Sequence, residues 1–240
     1  MKVSLIIPCY NEEEGVEYLS GILSKLLPKL RKRYDVELIL VDDGSGDNTY
    51  KLLKKHFGKW KFAKIIKHRK NMGFGAAFRT GIQNSTGDVI FQIDADCTYP
   101  AGDIIPMIED TKEYDIVTAS PYHPKGRVKD VQKYRLFFSK AISLIYRIIS
   151  SSKVHSFTAY FRAYRGNMLR SLKFESNGFT CTSEIMLLCL LKGGKVKEYP
   201  SVLSKRIYGQ SKMRTLMVIK DHMKLIMRII GLRLSNIFKP

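Results

Sequence analysis

Two aspartates that are one residue apart, Asp94 and Asp96, have the clearest potential for chemistry in this sequence. Carboxylates do not bind phosphate directly, but a divalent cation can bridge the two kinds of group. Mg²⁺ in particular is usually held by one or two carboxylates together with phosphate oxygens of a substrate. The pair therefore predicts a Mg²⁺ or Mn²⁺ site that binds a diphosphate.

Three further polar clusters share one feature with this pair, because each of the four directly follows a predicted strand. They are the sequences PCYNE at 8–12, DDGS at 42–45 and NMGFG at 71–75. Taken singly, Asn11 could be a helix N-cap, and the other two clusters could be ordinary turns. The carboxyl ends of neighbouring parallel strands open onto one crevice, however, so the four clusters together predict a single site.

Glycine spacing argues against two common nucleotide-binding classes. An NAD-binding fingerprint would place GxGxxG directly after the first strand, where this chain has PCYNEEEG, and Gly73, Gly75 and Gly81 are spaced differently. The sequence also lacks the GxxxxGK(S/T) loop of P-loop NTPases. A dehydrogenase and a Walker-type NTPase are therefore disfavoured.

The elements that must position these clusters alternate along the first half of the chain. Short apolar runs predict strands at 3–8, 36–42, 63–67, 88–93 and 115–119. The segments between them predict helices at 12–32, 48–57, 74–83 and 103–111. Apolar strands separated by helices indicate an α/β protein, with a mostly parallel sheet covered by helices on both faces and ligands at the carboxyl ends of the strands.

The second half of the chain is less regular. Residues 121–130 contain two Pro and one Gly and predict a mobile connection, and residues 182–191 predict a helix. Apolar residues recur at helical spacing among Lys and Arg at 131–150 and 214–239, which predicts two basic amphipathic helices. Such helices either pack on the core or lie in a membrane interface, and the pattern leaves both interpretations open.

Composition narrows the class of protein. The 240 residues are 45% hydrophobic and carry 41 Lys and Arg against 22 Asp and Glu, a net charge of +19. This composition excludes a disordered, collagen-like or coiled-coil chain, and the apolar content suffices for one hydrophobic core. The charge indicates an anionic partner: nucleic acid, a phosphorylated small molecule or an anionic membrane. With no CxxC pair, no bilayer-length apolar run and no signal-peptide pattern, we expect a cytoplasmic protein.

The motifs PCYNE, VDDGS, NMGFGAAFRTG and DADCTYP resemble the successive motifs of family 2 glycosyltransferases. Three later motifs, FTAYFRAYR, NGF with Glu184, and RIYGQSK, are similar to the dolichyl-phosphate mannose synthase branch of that family. The resemblance runs from Val3 to Lys212. It implies a GT-A fold, with a Rossmann-like sheet, in a catalytic domain at 1–212, followed by a basic amphipathic C-terminal helix at 213–240. It also implies a nucleotide-sugar donor, based on UDP or GDP, and a polyprenyl phosphate acceptor.

The resemblance further implies roles for individual residues. Asp43 would lie near the nucleotide base and ribose, with Asp42 supporting that turn. The residues expected to bind the nucleotide-sugar are Pro8, Tyr10, Glu12, Asp42, Asp43, Gly73, Asp94, Ala95, Asp96, Arg206 and Lys212. The residues expected to bind the metal are Asp94, Asp96 and Thr98. Those expected to take part in catalysis are Asp94, Asp96, Arg206, Lys212 and Glu184. Those expected to bind the acceptor phosphate are Arg135, Arg162 and Ser211.

The chain departs from its relatives at two positions. Ser120-Pro121-Tyr122 stands where they commonly have Ser-Arg-Tyr, so an arginine that would help bind phosphate is missing there. Lys125, Arg127 or Arg135 could replace it. Thr98 stands where mannose synthases tend to have Gln after Asp-x-Asp, which leaves the sugar open.

The expected acceptor decides the mechanism. A phosphate monoester has a second pKa of about 6, so its oxygen is already largely ionised at neutral pH and attacks the anomeric carbon without a protein base. Attack opposite the departing diphosphate would invert that centre. A saccharide hydroxyl acceptor would instead require a carboxylate base, for which Asp103, Glu109 and Glu184 are the candidates.

The expected acceptor also indicates where the protein acts, because the lipid tail of a polyprenyl phosphate stays in a membrane. Residues 205–240 carry nine Lys and Arg against Asp221 alone, so we expect a peripheral protein on the cytoplasmic face of a membrane. A membrane-anchoring subunit or a homo-oligomer would also fit. A nucleic-acid-binding protein is a more distant alternative, suggested by the aromatic and basic residues at 157–165. The acidic clusters oppose it, because they would repel phosphate in the absence of metal.

Overall fold

The computed structural model describes residues 1–209 and 215–237. The elements of the first half are β1 Lys2–Cys9, α1 Val16–Arg31, β2 Asp35–Asp42, α2 Thr49–Phe57, β3 Ala63–Lys67, α3 Phe74–Gln83, β4 Val89–Gln92, α4 Ile104–Asp110 and β5 Ile116–Ser120. Every strand and helix predicted for this half is present. The largest shift is at α1, which begins four residues later than predicted, because the chain first makes a turn in which the N–H of Gly15 donates to the carbonyl of Glu12 at 2.9 Å.

The second half adds helices and short strands. They are β6 Arg127–Lys129, α5 Lys133–Ser150, β7 Arg162–Arg165, α6 Gly166–Ser171, α7 Cys181–Leu191, β8 Val196–Pro200, β9 Val202–Ser204 and α8 Thr215–Ile237. The three long helices were predicted. The other elements are three to six residues long, and segments this short carry no readable hydrophobic period.

Seven strands form the central sheet in the order β3-β2-β1-β4-β7-β5-β8. All neighbours are parallel except β7, which is antiparallel to both β4 and β5. Successive side chains of β1 enter opposite layers, since Leu5 and Ile7 pack with α1, α2 and α4, whereas Ile6 packs with α3, α7 and α8. The predicted mostly parallel α/β sheet with helices on both faces is confirmed.

The connection predicted to be mobile is held by backbone pairing over part of its length. Strand β6 runs parallel to β9, with Arg127 opposite Val202 and Lys129 opposite Ser204. The N–H of Lys205 also donates to the carbonyl of Lys129 at 3.1 Å. The expectation is therefore wrong for 127–129, because the partner strand lies too far along the chain to be recognised from local composition.

Helix α8 has a buried face and an exposed face. Leu225, Ile226 and Ile229 are buried in the layer that contains α7, whereas Met223 and Met227 on the same helix are exposed. Within the described ranges, no helix combines the length and the apolar content needed to cross a bilayer. Core packing therefore uses one side of this helix and leaves the other side available.

Candidate active site

The first two polar clusters are joined by Asn11. Its backbone N–H donates to Oγ of Ser45 at 3.0 Å, and its Oδ1 accepts the N–H of Gly46 at 2.9 Å. Asn11 has a φ of 50°, a left-handed conformation that asparagine tolerates better than most residues. It is therefore a bridge between the loops after β1 and β2, and the helix that follows starts only at Val16.

Asp43 joins the second cluster to the third. Its carboxylate accepts the N–H groups of Met72 at 3.0 Å and Gly73 at 2.8 Å, and it contacts Nδ1 of His68 at 2.7 Å. Gly73 has a φ of 98°, and a Cβ at this position would lie 2.4 Å from the carbonyl oxygen of Asn177. Glycine is thus required here, and Asp43 holds the turn that contains it.

Asp42 differs sharply from its neighbour. It is fully buried at the end of β2, and neither of its carboxylate oxygens has a hydrogen-bond partner among the residues that the structure describes. A buried carboxylate without partners is costly. Because both oxygens are shielded from solvent, donor groups of a bound nucleotide would reach and satisfy them only if the surrounding loops moved. The turn that Asp42 was expected to support is bound by Asp43, whose carboxylate accepts the N–H groups of Met72 and Gly73.

The fourth cluster brings the carboxylates of Asp94 and Asp96 to the same edge of the sheet. Nη2 of Arg206 lies 2.7 Å from Oδ2 of Asp96, and Nη1 lies 3.6 Å from Oε1 of Glu12. Burial and the negative charge of Asp96 raise the pKa of Asp94 well above its usual value, while Arg206 opposes this shift. Residues from the first cluster, the fourth cluster and the segment after β9 therefore meet at one point.

The Asp94 and Asp96 pair fits a divalent cation. Two neighbouring carboxylates in a partly desolvated position repel each other, as the raised pKa of Asp94 indicates, and a cation relieves this repulsion. Within the described part of the chain, no group of three or more His, Cys, Asp or Glu side chains forms a complete cage. The pair thus suits Mg²⁺ or Mn²⁺, which complete their coordination with substrate oxygens and water.

Comparison with known proteins identifies the family. Residues 4–172 match the family model of glycosyl transferase family 2. The chain belongs to this family. It is therefore a glycosyltransferase, and the resemblance carried by its strand-end motifs is confirmed.

Several curated relatives of this glycosyltransferase are named for lipid-phosphate acceptors. It is 32% identical to a dolichol-phosphate mannosyltransferase of Pyrococcus furiosus over 89% of its own length, but spans only 60% of that relative. It is 28% identical to an undecaprenyl-phosphate mannosyltransferase of Micrococcus luteus, covering 89% of this chain and 88% of the relative.

Solved structures support the fold. Glucosyl-3-phosphoglycerate synthase from Mycobacterium tuberculosis superposes with a TM-score of 0.71 at 18% identity, over 96% of this chain and 80% of that one. A complex of the same synthase with Mn²⁺ and UDP gives a TM-score of 0.69 at 18% identity, over 97% of this chain and 79% of that one. At this identity the likeness shows the GT-A fold alone.

The remaining predicted donor-site residues have varied positions in the glycosyltransferase. Pro8 is buried near the end of β1, Tyr10 is half-buried just after it, and Ala95 is buried between the two aspartates. The backbone N–H of Thr98 donates to Oδ1 of Asp96 at 3.3 Å, so Thr98 contacts a predicted metal ligand. The predicted residues Ser211 and Lys212 lie outside the described residues.

Arg162 does not fit its expected contact with the acceptor phosphate. It is fully buried, and its guanidinium donates to Oγ1 of Thr118 at 2.9 Å and to the carbonyls of Thr182 and Phe157, both at 2.6 Å. These bonds tie β7 to its neighbours in the interior. The family resemblance implied a phosphate contact, and the four residues of β7 were too short a run to reveal a buried central strand.

Glu184 does not fit a catalytic role at the reacting atoms. It is fully buried on α7, accepts the backbone N–H groups of Glu175 and Ser176, and pairs with Arg228 of α8. The sequence could not separate a buried from an exposed position, since α7 has no distinct polar face. Arg135, the third acceptor candidate, is half-buried near the start of α5, where its Nε lies 3.4 Å from the hydroxyl of Tyr134.

The aromatic and basic segment at 157–165 is also interior. Phe157, Phe161 and Arg162 are all buried, so they offer no surface on which bases could stack. The segment thus contributes to the core of the glycosyltransferase, and the feature that suggested nucleic-acid binding has another explanation.

Proposed function

We propose that this glycosyltransferase moves one sugar from a UDP- or GDP-linked donor to a polyprenyl phosphate, with inversion at the anomeric carbon. The observation that carries the proposal is the meeting of Asp96, Glu12 and Arg206 beside Asp94 at the carboxyl edge of the sheet. The acceptor class is supported by the relatives named for dolichol phosphate and undecaprenyl phosphate, which match about nine-tenths of this chain.

The donor side of the site separates recognition from charge compensation. The buried carboxylate of Asp42 accepts hydrogen bonds from the nucleoside, and Asp43 keeps the adjoining turn in place. Asp94 and Asp96 would hold a divalent cation, which would supply positive charge beside the diphosphate leaving group. Arg206 supplies a second positive group at the same point, with Lys212 in the same segment of sequence.

The acceptor side is consistent with a reaction that needs no protein base. Each of the three carboxylates considered as a base for a hydroxyl acceptor is engaged elsewhere. Asp103 accepts the hydroxyl of Ser201 at 2.5 Å, Glu109 binds Tyr34 and Lys112, and Glu184 is buried with Arg228. An acceptor that is already ionised avoids this difficulty, because the acceptor oxygen itself attacks.

Basic residues near the site would hold the acceptor phosphate. Pairing of β6 with β9 brings Arg127 and Lys129, both exposed, beside the strand that leads to Arg206. This supports Arg127, among the candidates named from the sequence, as the replacement for the missing arginine at Pro121. Two cationic segments side by side would offset the repulsion between donor and acceptor phosphates.

A membrane surface is the expected location of the acceptor. Helices α5 and α8 lie in the same layer and expose large apolar side chains, with Phe137, Ile148 and Met227 each 68% exposed. Lys140 and Lys224 are exposed on the same helices. The protein therefore associates peripherally with an anionic cytoplasmic leaflet, alone, with a membrane-anchoring subunit or as a homo-oligomer.

Transfer from a panel of radiolabelled UDP- and GDP-sugars to a short polyprenyl phosphate, with Mg²⁺ or Mn²⁺, tests the proposal. We expect labelled sugar to appear in the lipid only when metal is present. The rate of this transfer should fall at least about 100-fold in Asp96→Ala. Asp103→Asn and Glu109→Gln are matched carboxylate controls and should keep activity within about twofold. Label that reaches only saccharide hydroxyls, or that is lost in either control, would favour the hydroxyl-acceptor alternative.

A further inference from the structure

Glu184 is a junction between α8 and a loop next to the nucleotide side of the site. Its oxygens accept the N–H groups of Glu175 at 2.9 Å and Ser176 at 2.8 Å and pair with the guanidinium of Arg228. Nη2 of Arg228 also lies 3.0 Å from Oε1 of Glu175. Because Glu184 is fully buried, loss of Arg228 would leave an uncompensated charge in the interior.

The other side of this loop is held by α3. Arg79 donates from Nη1 to Oδ1 of Asn177 at 2.9 Å and from Nη2 to the carbonyl of Phe174 at 3.1 Å. The carbonyl of Asn177 accepts the N–H of Gly75 at 2.6 Å. Segment 174–177 is thus clamped, with its amides bound by Glu184 and its carbonyls bound by the first residues and the arginine of α3.

The start of α3 is part of the site already described. The N–H groups of Met72 and Gly73, directly before the helix, bind the carboxylate of Asp43. The backbones are in close contact here, since a Cβ on Gly73 would lie 2.4 Å from the carbonyl oxygen of Asn177, and one on Gly75 would lie 2.2 Å from that of Ser176. A shift of segment 174–177 therefore has to move the turn that Asp43 holds.

We propose that Glu184 is a positioning residue that makes the nucleotide side of the site depend on the seating of α8, through Arg228, segment 174–177 and the turn at 72–75. This inference rests on the proposed function, because it takes Asp42 and the turn beside it as the nucleotide site. The coupling gives α8 a second role besides contact with a membrane surface. A change in how α8 packs against Glu184 alters binding of the nucleotide donor.

The chain offers a matched control for the test. Arg233 also fastens α8, but it binds the carbonyl of Ile149 and Oγ of Ser151 rather than the loop at 174–177. Arg228→Gln, Arg228→Lys and Arg233→Gln in the full chain would be compared by UDP and GDP titration calorimetry with Mn²⁺. Hydrogen–deuterium exchange without ligand would report on the amides of 72–76 and 174–177.

We expect Arg228→Gln to raise the nucleotide Kd roughly tenfold, within the usual range for coupled sites, and to speed exchange at 72–76. Arg228→Lys should recover most of both effects, whereas Arg233→Gln should change neither. A folded Arg228→Gln protein with unchanged Kd and unchanged exchange at 72–76 would overturn the inference, as would equal effects in Arg233→Gln. If the wild-type chain bound neither nucleotide, the proposed function would fail, and the exchange comparison would still decide the coupling.

Discussion

At the scale of single residues, two adjacent aspartates have opposite environments. Asp43 has three donors around its carboxylate, while the buried oxygens of Asp42 have none among the described residues. A hydrogen-bonded carboxylate stabilises the fold, whereas an unsatisfied buried one lowers stability until a bound group supplies donors. The dipeptide thus combines one satisfied and one unsatisfied carboxylate.

These environments predict opposite effects for the same substitution. Asp42→Asn should weaken UDP or GDP binding about 10- to 100-fold and leave the free energy of unfolding unchanged or up to about 1 kcal/mol higher. Asp43→Asn should lower that free energy by about 1–3 kcal/mol, because it leaves one acceptor oxygen for the N–H groups of Met72 and Gly73 and removes the negative charge beside His68. Urea denaturation and calorimetric titration measure both quantities. Equal loss of stability in the two variants would contradict this assignment.

At the scale of elements, α5 and α8 are joined by a contact that is sensitive to pH. The hydroxyl of Tyr146 on α5 lies 2.7 Å from Nδ1 of His222 on α8. Burial lowers the pKa of His222 from its ordinary value of 6.5 to about 4, and the carboxylate of Asp221 opposes the shift only in part. The imidazole is therefore neutral in the folded protein across the physiological range.

The lowered pKa of His222 predicts a loss of stability in acid. Between pH 6.5 and 4 the unfolded chain takes up a proton at this position and the folded chain does not, so the contribution of His222 is complete above pH 6.5 and declines as pH falls. The full effect is about 3 kcal/mol. Urea denaturation at several pH values should show a steeper decline for the wild type than for His222→Gln. If the free energy of unfolding declined equally with pH in the wild type and in His222→Gln, the loss of stability in acid would not come from His222.

At the scale of the whole molecule, the two faces of the sheet carry helices with different exposed surfaces. One face is covered by α1, α2 and α4, and the other carries α5 and α8 with their exposed apolar side chains. The net charge of +19 draws the protein toward anionic surfaces, and the second face adds apolar area that can enter a lipid interface. The expected contact with a membrane is therefore one-sided.

Vesicle flotation tests this asymmetry. Wild-type protein should float with anionic vesicles at low salt, detach at high salt, and bind neutral vesicles weakly. Lys224→Gln on α8 should lower the partition coefficient about fivefold, since a cation near the surface contributes about 1 kcal/mol. Lys51→Gln on α2, across the sheet, is the matched control and should change it little. Equal losses in both variants would indicate an effect of net charge alone.

The sequence by itself determined the α/β fold, the edge at which the polar clusters meet and the family. These depend on local patterns, namely apolar runs, helical periodicity and polar residues at strand ends, which the chain carries residue by residue. The convergence of PCYNE, DDGS, NMGFG and DAD follows from parallel strands alone. Even the site carboxylates Asp94 and Asp96 could be recognised from their spacing.

Only the tertiary structure decided what each side chain contacts. Glu184 and Arg162 are buried and bonded to residues distant in sequence, Asp43 rather than Asp42 binds the turn at 72–73, and segment 127–129 is paired with a strand about 75 residues later. Burial and hydrogen-bond partners depend on contacts between distant segments, which no local pattern encodes. Charge and residue type therefore predicted a site, whereas the packing around it decided which side chains contact one another.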